Sequence, residues 1–467
     1  MPSRNQYGYA VERKVTLMQS NSYTSKMMLK KMYPPEKVIV EPLVITDNDV
    51  ILGYKTEDFT DKNNAQLLNL GIFERGETGS VNIGFLGITG SGKTAEAWKF
   101  IENFVFRFRY CFFEIDVKHE AWIHRKPLYS LPGKEAIDAS LEQLGQTRQG
   151  LDLLIVAPRG IISKEDTNVD VWISVGWKDI QDIAKYDNGE AIKILADILG
   201  ISTTDDDSLD ILDRAIEEDG IETVEDFYKF VMAINKKEGI DYAGSTKILR
   251  KLKLRMDKDI LSDKYTFDLL GEMKKRQGAG GVVLAGKIKV AGLNNYVDLS
   301  YEAVIKMLML KIEYDGFAWN VGKNPNAVLQ TDCVVHVGEL DTFAPADDRS
   351  PMSRFMRDRS TKGRQSGVNY FFDVQESSTV DAELFNQIKI LDCATVSDSN
   401  AKTLERKGIN KNNIAYLQKL RREVWPIHNG RKIGYKVAER CVIDRLNHII
   451  IFVPGVPQSQ FMFKKSK

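Results

Sequence analysis

The chain has 467 residues, of which 43% are hydrophobic and 28% are charged, and its 65 acidic and 65 basic side chains cancel. These values are ordinary for a globular protein longer than one average domain, and zero net charge does not indicate a nucleic-acid or membrane partner. No apolar run reaches the ~18 residues that cross a bilayer, and residues 1–14 lack the apolar segment of a signal peptide. Four scattered cysteines are typical of reduced thiols, so we expect a soluble, cytoplasmic protein without membrane insertion.

Five segments are predicted along the chain. Residues 1–79 form a small β-containing region with a hairpin of strands 37–45 and 50–54. Apolar strands then alternate with helical patterns, which predicts an α/β fold with a mostly parallel sheet. We expect two parts of this core, 80–202 and 265–457, around a helical insertion at 203–264, and a flexible tail at 458–467. The core strands are predicted at 82–87, 110–117, 152–157, 170–174, 296–299, 333–337 and 369–374, with an edge strand at 448–454.

A mostly apolar strand runs directly into a glycine-rich motif and then into a helix. Residues 87–94, Gly-Ile-Thr-Gly-Ser-Gly-Lys-Thr, fit the phosphate-binding P-loop pattern G-x-x-x-x-G-K-T. The glycines let backbone N–H groups face an anion, and the positive end of the helix faces the same anion. Lys93 is expected to reach the β- and γ-phosphates of ATP, and the Thr94 hydroxyl to bind Mg²⁺. The predicted nucleotide-binding residues are Gly87, Thr89, Gly90, Ser91, Gly92, Lys93, Thr94 and Ala95.

The inserted segment is helical in pattern, and it begins acidic and ends basic. Its last helix has an apolar side, so its charges are first of all a solvated face. Contact with DNA is the alternative interpretation of that face. The basic residues of this helix are Lys247, Arg250, Lys251, Lys253, Arg255 and Lys258.

A second apolar strand, 333–337, leads into an acid at its carboxyl end, where ligands of open parallel sheets bind. In most ATPases this strand ends Asp-Glu: the Asp holds the Mg²⁺ shell and the Glu polarises the attacking water. Gly338 occupies the position of the Asp, whereas Glu339 is in place for the general base and as a metal ligand. Asp116 or Asp341 could compensate for the missing acid. The plainer alternative for Glu339 is an exposed acid after a strand.

A basic segment follows, with Arg354, Arg357, Arg359, Lys362 and Arg364. It is either a basic helix followed by a turn, or the source of one arginine that stabilises a nucleotide phosphate in cis or across a subunit boundary. Arg364 is the preferred candidate for that catalytic role. The strand 369–374 then leads into Gln375, which either senses the γ-phosphate through a water or caps the strand.

The order of these motifs resembles the HerA–FtsK group of hexameric P-loop ATPases, and within it the archaeal HerA-like branch. The departures are Gly338, Asp341 in place of the usual His, and an N-terminal region without a clear β-barrel. The last departure favours a plasmid or viral relative. The resemblance covers about residues 80–457 and is carried by Glu114-Ile115-Asp116, by Val297-Asp298-Leu299-Ser300, by residues 339–345 (E-L-D-T-F-A-P against E-A-H-x-F-A-P), by residues 363–368 (G-R-Q-S-G-V) and by Val374-Gln375.

The resemblance implies a RecA-like (ASCE) core and a homo-hexameric ring in which ATP hydrolysis drives translocation of double-stranded DNA. A nuclease, a capsid or a transfer apparatus is then the expected partner. The alternative is a nucleotide-dependent switch or assembly ATPase that acts on a protein partner and hydrolyses ATP slowly because Gly338 replaces the metal-shell acid. DNA-stimulated turnover separates the two hypotheses.

Overall fold

The chain separates into two compact units, Met1–Ile45 and Thr46–Lys467. All of the residues that the computed structural model describes belong to the second unit. The proposed domain boundaries stay predictions. The described residues are 49–55, 65–70, 81–87, 91–118, 120–125, 138, 141–142, 144–161, 168–237, 243–286, 289–291, 294–296, 299–346, 351–424, 427–428, 431–432, 437–444, 446–455 and 458–459.

The strands of the described ranges form one large mixed sheet and two small hairpins. The hairpins pair β8 with β9 and β13 with β14. The strands are β1 Asp49–Tyr54, β2 Ala65–Asn69, β3 Asn82–Leu86, β4 Cys111–Asp116, β5 Asp152–Pro158, β6 Val171–Ile173, β7 Gly280–Ala285, β8 Lys289–Ala291, β9 Asn294–Tyr296, β10 Cys333–Val337, β11 Val368–Val374, β12 Ile390–Cys393, β13 Ile427–His428, β14 Arg431–Lys432, β15 Arg440–Asp444 and β16 Ile449–Pro454.

The large sheet has the order β2-β1-β16-β15-β12-β3-β11-β10-β4-β7-β5-β6 across its described strands. From β12 to β6 all neighbours are parallel, whereas β15, β16, β1 and β2 extend the sheet in antiparallel fashion. Parallel strands place their carboxyl ends at one edge, which is the edge where ligands of such sheets bind. The predicted α/β fold with a mostly parallel sheet is confirmed.

Helices cover both faces of the sheet, as parallel strands buried on both faces require. The helix that follows β3 continues into a π-helical turn, Asn103–Arg107. The helices are α1 Lys93–Glu102, α2 Trp177–Ala184, α3 Asn188–Leu199, α4 Asp206–Glu217, α5 Val224–Lys237, α6 Ala243–Asp257, α7 Leu269–Lys275, α8 Leu299–Asn320, α9 Leu340–Phe343, α10 Pro351–Ser366, α11 Ala382–Gln387, α12 Asp398–Arg406 and α13 Lys411–Lys419.

The buried apolar side chains form two clusters. One cluster joins α1 to the sheet, with the Phe85 ring 5.2 Å from that of Phe100 and the Phe104 ring 5.0 Å from that of Phe371. The other cluster contains the long helix α8 together with α2 to α6. The region predicted as a helical insertion is helical where it is described, since it contains α4, α5 and α6.

Most of the predicted core strands lie where the sequence pattern puts them, and two predictions differ from the structure. The strand predicted at 296–299 is wrong as a member of the large sheet: Tyr296 ends the small hairpin strand β9, and Leu299 begins α8. The segment 448–454 is not an edge, because β16 pairs with both β15 and β1. The first strand of the predicted hairpin, 37–45, lies outside the described residues, whereas residues 50–54 belong to β1.

Strand β7 was missed because it begins with two glycines, which lower the strand propensity of a sequence. The structure requires both. A Cβ on Gly280 would lie 2.0 Å from the Asp152 carbonyl oxygen, and one on Gly281 would lie 2.2 Å from that of Phe112. Gly280 and Gly281 therefore let β7 fit between β5 and β4.

We expect Gly281→Ala to lower the free energy of unfolding by about 1–3 kcal/mol, because the added methyl group meets backbone that cannot move aside. Denaturant unfolding measures the change. The matched control is Gly189→Ala in α3, where the nearest atom to a Cβ is the Asp187 carboxylate oxygen at 3.4 Å, and where alanine favours the helix. Equal stabilities for the two variants would contradict the close packing of β7.

Candidate nucleotide-binding site

The P-loop joins the carboxyl end of β3 to the first turn of α1. A Cβ on Gly87 would lie 2.4 Å from the Ser91 hydroxyl oxygen, and Gly92 has a φ of +75°, so both positions need glycine. The Ser91 hydroxyl is buried and has no hydrogen-bond partner among the described residues. A buried hydroxyl beside the amino end of α1 fits a phosphate. The predicted ligands Thr89 and Gly90 lie outside the described residues.

Lys93 is the first residue of α1 and is buried, with 7% of its surface exposed. Burial lowers the pKa of its ammonium, and the negative charges of Asp373 and Glu339 oppose that shift. Thr94 donates a hydrogen bond from Oγ1 to Asp373 Oδ2 at 3.3 Å, and Ala95 follows it in the helix. The predicted lysine and threonine thus face carboxylates at the carboxyl edge of the sheet.

Glu339 and Gln375, predicted from separate motifs, lie together. Gln375 follows β11 and donates a hydrogen bond from Nε2 to Glu339 Oε2 at 2.7 Å. Glu339 has a φ of +60°, a left-handed conformation that costs a non-glycine residue about 1–3 kcal/mol. This backbone strain and the low exposure of the side chain, 8%, disagree with the alternative of an exposed acid after a strand.

Lys118 also belongs to this edge, although the sequence analysis did not single it out. Its ammonium forms an ion pair with Glu339 Oε1, and it follows β4 by two residues. Burial acts to lower the pKa of Lys118, but the hydrogen bond and charge of Glu339 outweigh it, so the pKa is raised. The sequence signal for Lys118 was a lysine two residues after a buried strand that ends in an acid.

Three charged or polar residues on neighbouring strands form a buried row that sequence analysis also missed. His336 on β10 has Nδ1 2.6 Å from Glu114 Oε2 on β4, and Nε2 3.4 Å from Asp373 Oδ1 on β11. Burial acts to lower the pKa of His336, but Glu114 and Asp373 outweigh it and raise the pKa to about 10. Burial would raise the pKa of Asp373, but the hydrogen bond and charge of His336 lower it. The available signal was that each of these mostly apolar strands contains at least one polar or charged residue.

A small cavity of about 30 Å³ lies beside this row. That volume is enough for a water molecule or a small ion. Its lining includes Thr94, Asp116, Lys118, Gly338, Glu339 and Asp373.

The donor set suits Mg²⁺ held mainly by a nucleotide. Across the described ranges, no group of three or more His, Cys, Asp or Glu side chains is arranged to hold a metal ion alone. Mg²⁺ at phosphate sites keeps several waters and binds one or two protein oxygens, and the Thr94 hydroxyl and nearby carboxylates are oxygen donors of that kind. Thr94 contacts Asp373, while both carboxylate oxygens of the other predicted ligand, Glu339, already have partners.

Arg364 does not lie near this site. It is in the last turn of α10 rather than on the turn that its motif suggested, and Gly367, with a φ of +71°, follows the helix. Arg364 therefore precedes the amino end of β11, whereas Gln375 follows the carboxyl end. The seven residues of β11 separate the two by about 20 Å.

No protein-family model and no curated protein matches the chain. Solved structures do. VirB4 of Thermoanaerobacter pseudethanolicus matches with a TM-score of 0.50 at 14% identity, over 89% of this chain and 98% of VirB4. The bacterial conjugative coupling protein TrwBdeltaN70 matches with a TM-score of 0.43 at 11% identity, over 85% of this chain and 92% of that TrwB chain. The genome packaging NTPase B204 from Sulfolobus turreted icosahedral virus 2 matches over 40% of this chain and 72% of its own, with a TM-score of 0.26 at 11% identity.

The similarity to VirB4 carries the structural conclusion. The chain has the α/β fold of RecA-like P-loop ATPases. The resemblance to the HerA–FtsK group rests on the motifs. Assignment to the archaeal branch stays a prediction. None of the described helices is long and apolar enough to cross a membrane.

We expect Lys93→Ala to lower the affinity for ATP ~10–100-fold, because a hydrogen bond to a charged group contributes about 1.5–3 kcal/mol. Calorimetric titration with a non-hydrolysable ATP analogue measures this. Thermal melting should show a folded variant, since Lys118 and His336 remain beside the carboxylates. The matched control is the exposed Lys185→Ala on the surface near α2. Unchanged affinity in Lys93→Ala would mean that the phosphates bind elsewhere.

Proposed function

We propose that the chain is an ATPase that moves double-stranded DNA and works as a homo-hexameric ring. The observation that carries the proposal is the meeting of three separate motifs at one edge of the sheet: the P-loop lysine, Glu339 and Gln375. The RecA-like fold supports nucleotide hydrolysis. The DNA substrate, the hexamer and a nuclease, capsid or transfer partner rest on the motif resemblance.

Glu339 is the proposed general base or water-orienting residue. Gln375 fixes one carboxylate oxygen, and Lys118 pairs with the other. The phosphates of ATP offer Lys118 a competing negative partner, so binding can release the second oxygen toward a water. Mg²⁺, when bound with ATP, neutralises phosphate charge, and the Thr94 hydroxyl is in place to hold it.

Arg364 is proposed to act across a subunit boundary. It precedes the amino end of β11, about 20 Å along the strand from Gln375 at the carboxyl end, which supports action on the nucleotide of a neighbouring subunit. In a ring with heterologous contacts, the edge that carries Arg364 faces a different surface of the next subunit. Two other candidates are already engaged: Arg359 pairs with buried Glu313, and Arg357 with Glu383.

A switch or assembly ATPase remains the second candidate, since Gly338 has no carboxylate and the proposed base, Glu339, forms an ion pair with Lys118 in this structure. Both features favour slow turnover. A switch that acts on a protein should not respond to DNA.

Duplex DNA should therefore stimulate ATP turnover by the wild-type protein. Separately, Glu339→Gln should lower turnover ~10²–10⁴-fold while ATP still binds, because the amide keeps the shape of the side chain but cannot act as a base. Steady-state phosphate release with and without DNA measures both effects. Glu405→Gln on the exposed surface of α12 is the control. Turnover that ignores DNA would favour the switch, and full activity of Glu339→Gln would move the base elsewhere.

Arg364→Ala should lose hydrolysis but keep ATP binding. Mixing it with Lys93→Ala subunits should restore activity, because about a quarter of the seams in a random equal mixture join an intact P-loop to an intact Arg364. Phosphate release by the mixture gives the result. No recovery in assembled rings would refute the trans role, and a chain that stays monomeric with ATP and DNA would refute the ring.

A further inference from the structure

Gly338 stands where most ATPases have an acid, and the neighbouring strand β11 carries a carboxylate, Asp373, next to this position. A Cβ on Gly338 would have only the Ile115 carbonyl oxygen within 4 Å, at 3.6 Å. The backbone at this position therefore leaves space for a Cβ, but the residue is a glycine and supplies no carboxylate.

Strand register brings Asp373 beside this position. Val337 on β10 pairs with Phe372 on β11, so Gly338 and Asp373 each stand one residue past the same pair. Paired residues of neighbouring parallel strands point to the same face of the sheet. Asp373 also pairs with Phe85 on β3, the strand that enters the P-loop. The carboxylate at 373 therefore lies one strand closer to the P-loop than a side chain at 338.

The contacts of Asp373 match the task of a metal-shell acid. One carboxylate oxygen, Oδ2, accepts the hydrogen bond of the Thr94 hydroxyl at 3.3 Å, and the other faces His336 at 3.4 Å. His336 is in turn held by Glu114 at 2.6 Å. Asp373 is 3% exposed, so this row fixes its orientation.

Two other nearby acids are engaged or aimed differently. Asp116 accepts a hydrogen bond from the Ala121 backbone N–H at 2.6 Å. Asp341 lies on the helix after Glu339, and no hydrogen bond joins it to Thr94 among the described residues. Only Asp373 among these three acids contacts the hydroxyl that is expected to bind Mg²⁺.

We propose that Asp373, held by His336 and Glu114, replaces the missing acid at 338 and positions the Thr94 hydroxyl and the water shell of the nucleotide-bound Mg²⁺. The inference rests on the proposed nucleotide-binding function. It makes Asp373 a positioning residue, and its signature is the gain in nucleotide affinity that Mg²⁺ confers.

The experiment measures binding of a non-hydrolysable ATP analogue by calorimetry, once with excess MgCl₂ and once with excess EDTA. In Asp373→Asn the gain from Mg²⁺ should fall ~10–100-fold, the usual effect of removing an outer-shell partner of a metal ligand. The affinity in EDTA should stay close to that of the wild type. The double variant Gly338→Asp/Asp373→Asn should recover the gain in affinity from Mg²⁺, because it places a carboxylate after the neighbouring strand β10.

Two further variants keep the proposal open to refutation even if Asp373→Asn does not fold. Gly338→Asp alone should change the gain little, and a large increase would mean that no carboxylate had filled the position. Asp341→Asn should keep the gain, and its loss there instead of in Asp373→Asn would overturn the assignment.

The result also separates this inference from the proposed function. A wild-type protein that binds the analogue in neither solution refutes nucleotide binding, and the role of Asp373 with it. Binding with a normal gain from Mg²⁺ in folded Asp373→Asn refutes only the role of Asp373.

Discussion

The burial of charged side chains between α1 and the sheet is the constraint on which the site depends. Lys93, Glu96, Lys99 and Glu102 all lie on this helix with 7% or less of their surface exposed. A buried charge without a partner costs several kcal/mol, so each needs an opposite charge or hydrogen bonds at a defined place. Glu102 accepts hydrogen bonds from the backbone of residues 458 and 459, and burial still raises its pKa to about 7.

A second buried charged pair, on the antiparallel side of the sheet, contacts the P-loop. Arg440 on β15 is buried, donates from Nε to Asp392 Oδ1 at 2.6 Å, and has Nη1 3.5 Å from the Ser91 carbonyl oxygen. Removing one member of such a buried pair typically costs 3–5 kcal/mol because the other charge is left without a partner. The antiparallel strands at this side of the sheet therefore support the loop that is expected to receive the phosphates.

Parallel pairing explains why distant parts of the chain meet. The strands β3, β11, β10 and β4 are neighbours, and each is followed by a polar segment at its carboxyl end. The P-loop, Gln375, Glu339 and Lys118 follow these four strands in that order. Their chemistry differs, but all four lie at the carboxyl edge of one sheet, where Glu339 contacts both Gln375 and Lys118.

The sequence by itself determined the α/β fold, the P-loop, and Glu339 and Gln375 as separate candidates, because each of these signals is local and contiguous. It did not reveal β7, whose two glycines let the neighbouring strands approach closely, or that Arg364 lies at the opposite end of β11 from Gln375. Only the tertiary structure assembled Glu114, His336 and Asp373, since their contacts depend on the order and register of three strands that are far apart in the chain. A single apolar strand with one polar residue shows that a partner is needed, but the neighbouring strand decides which residue it is.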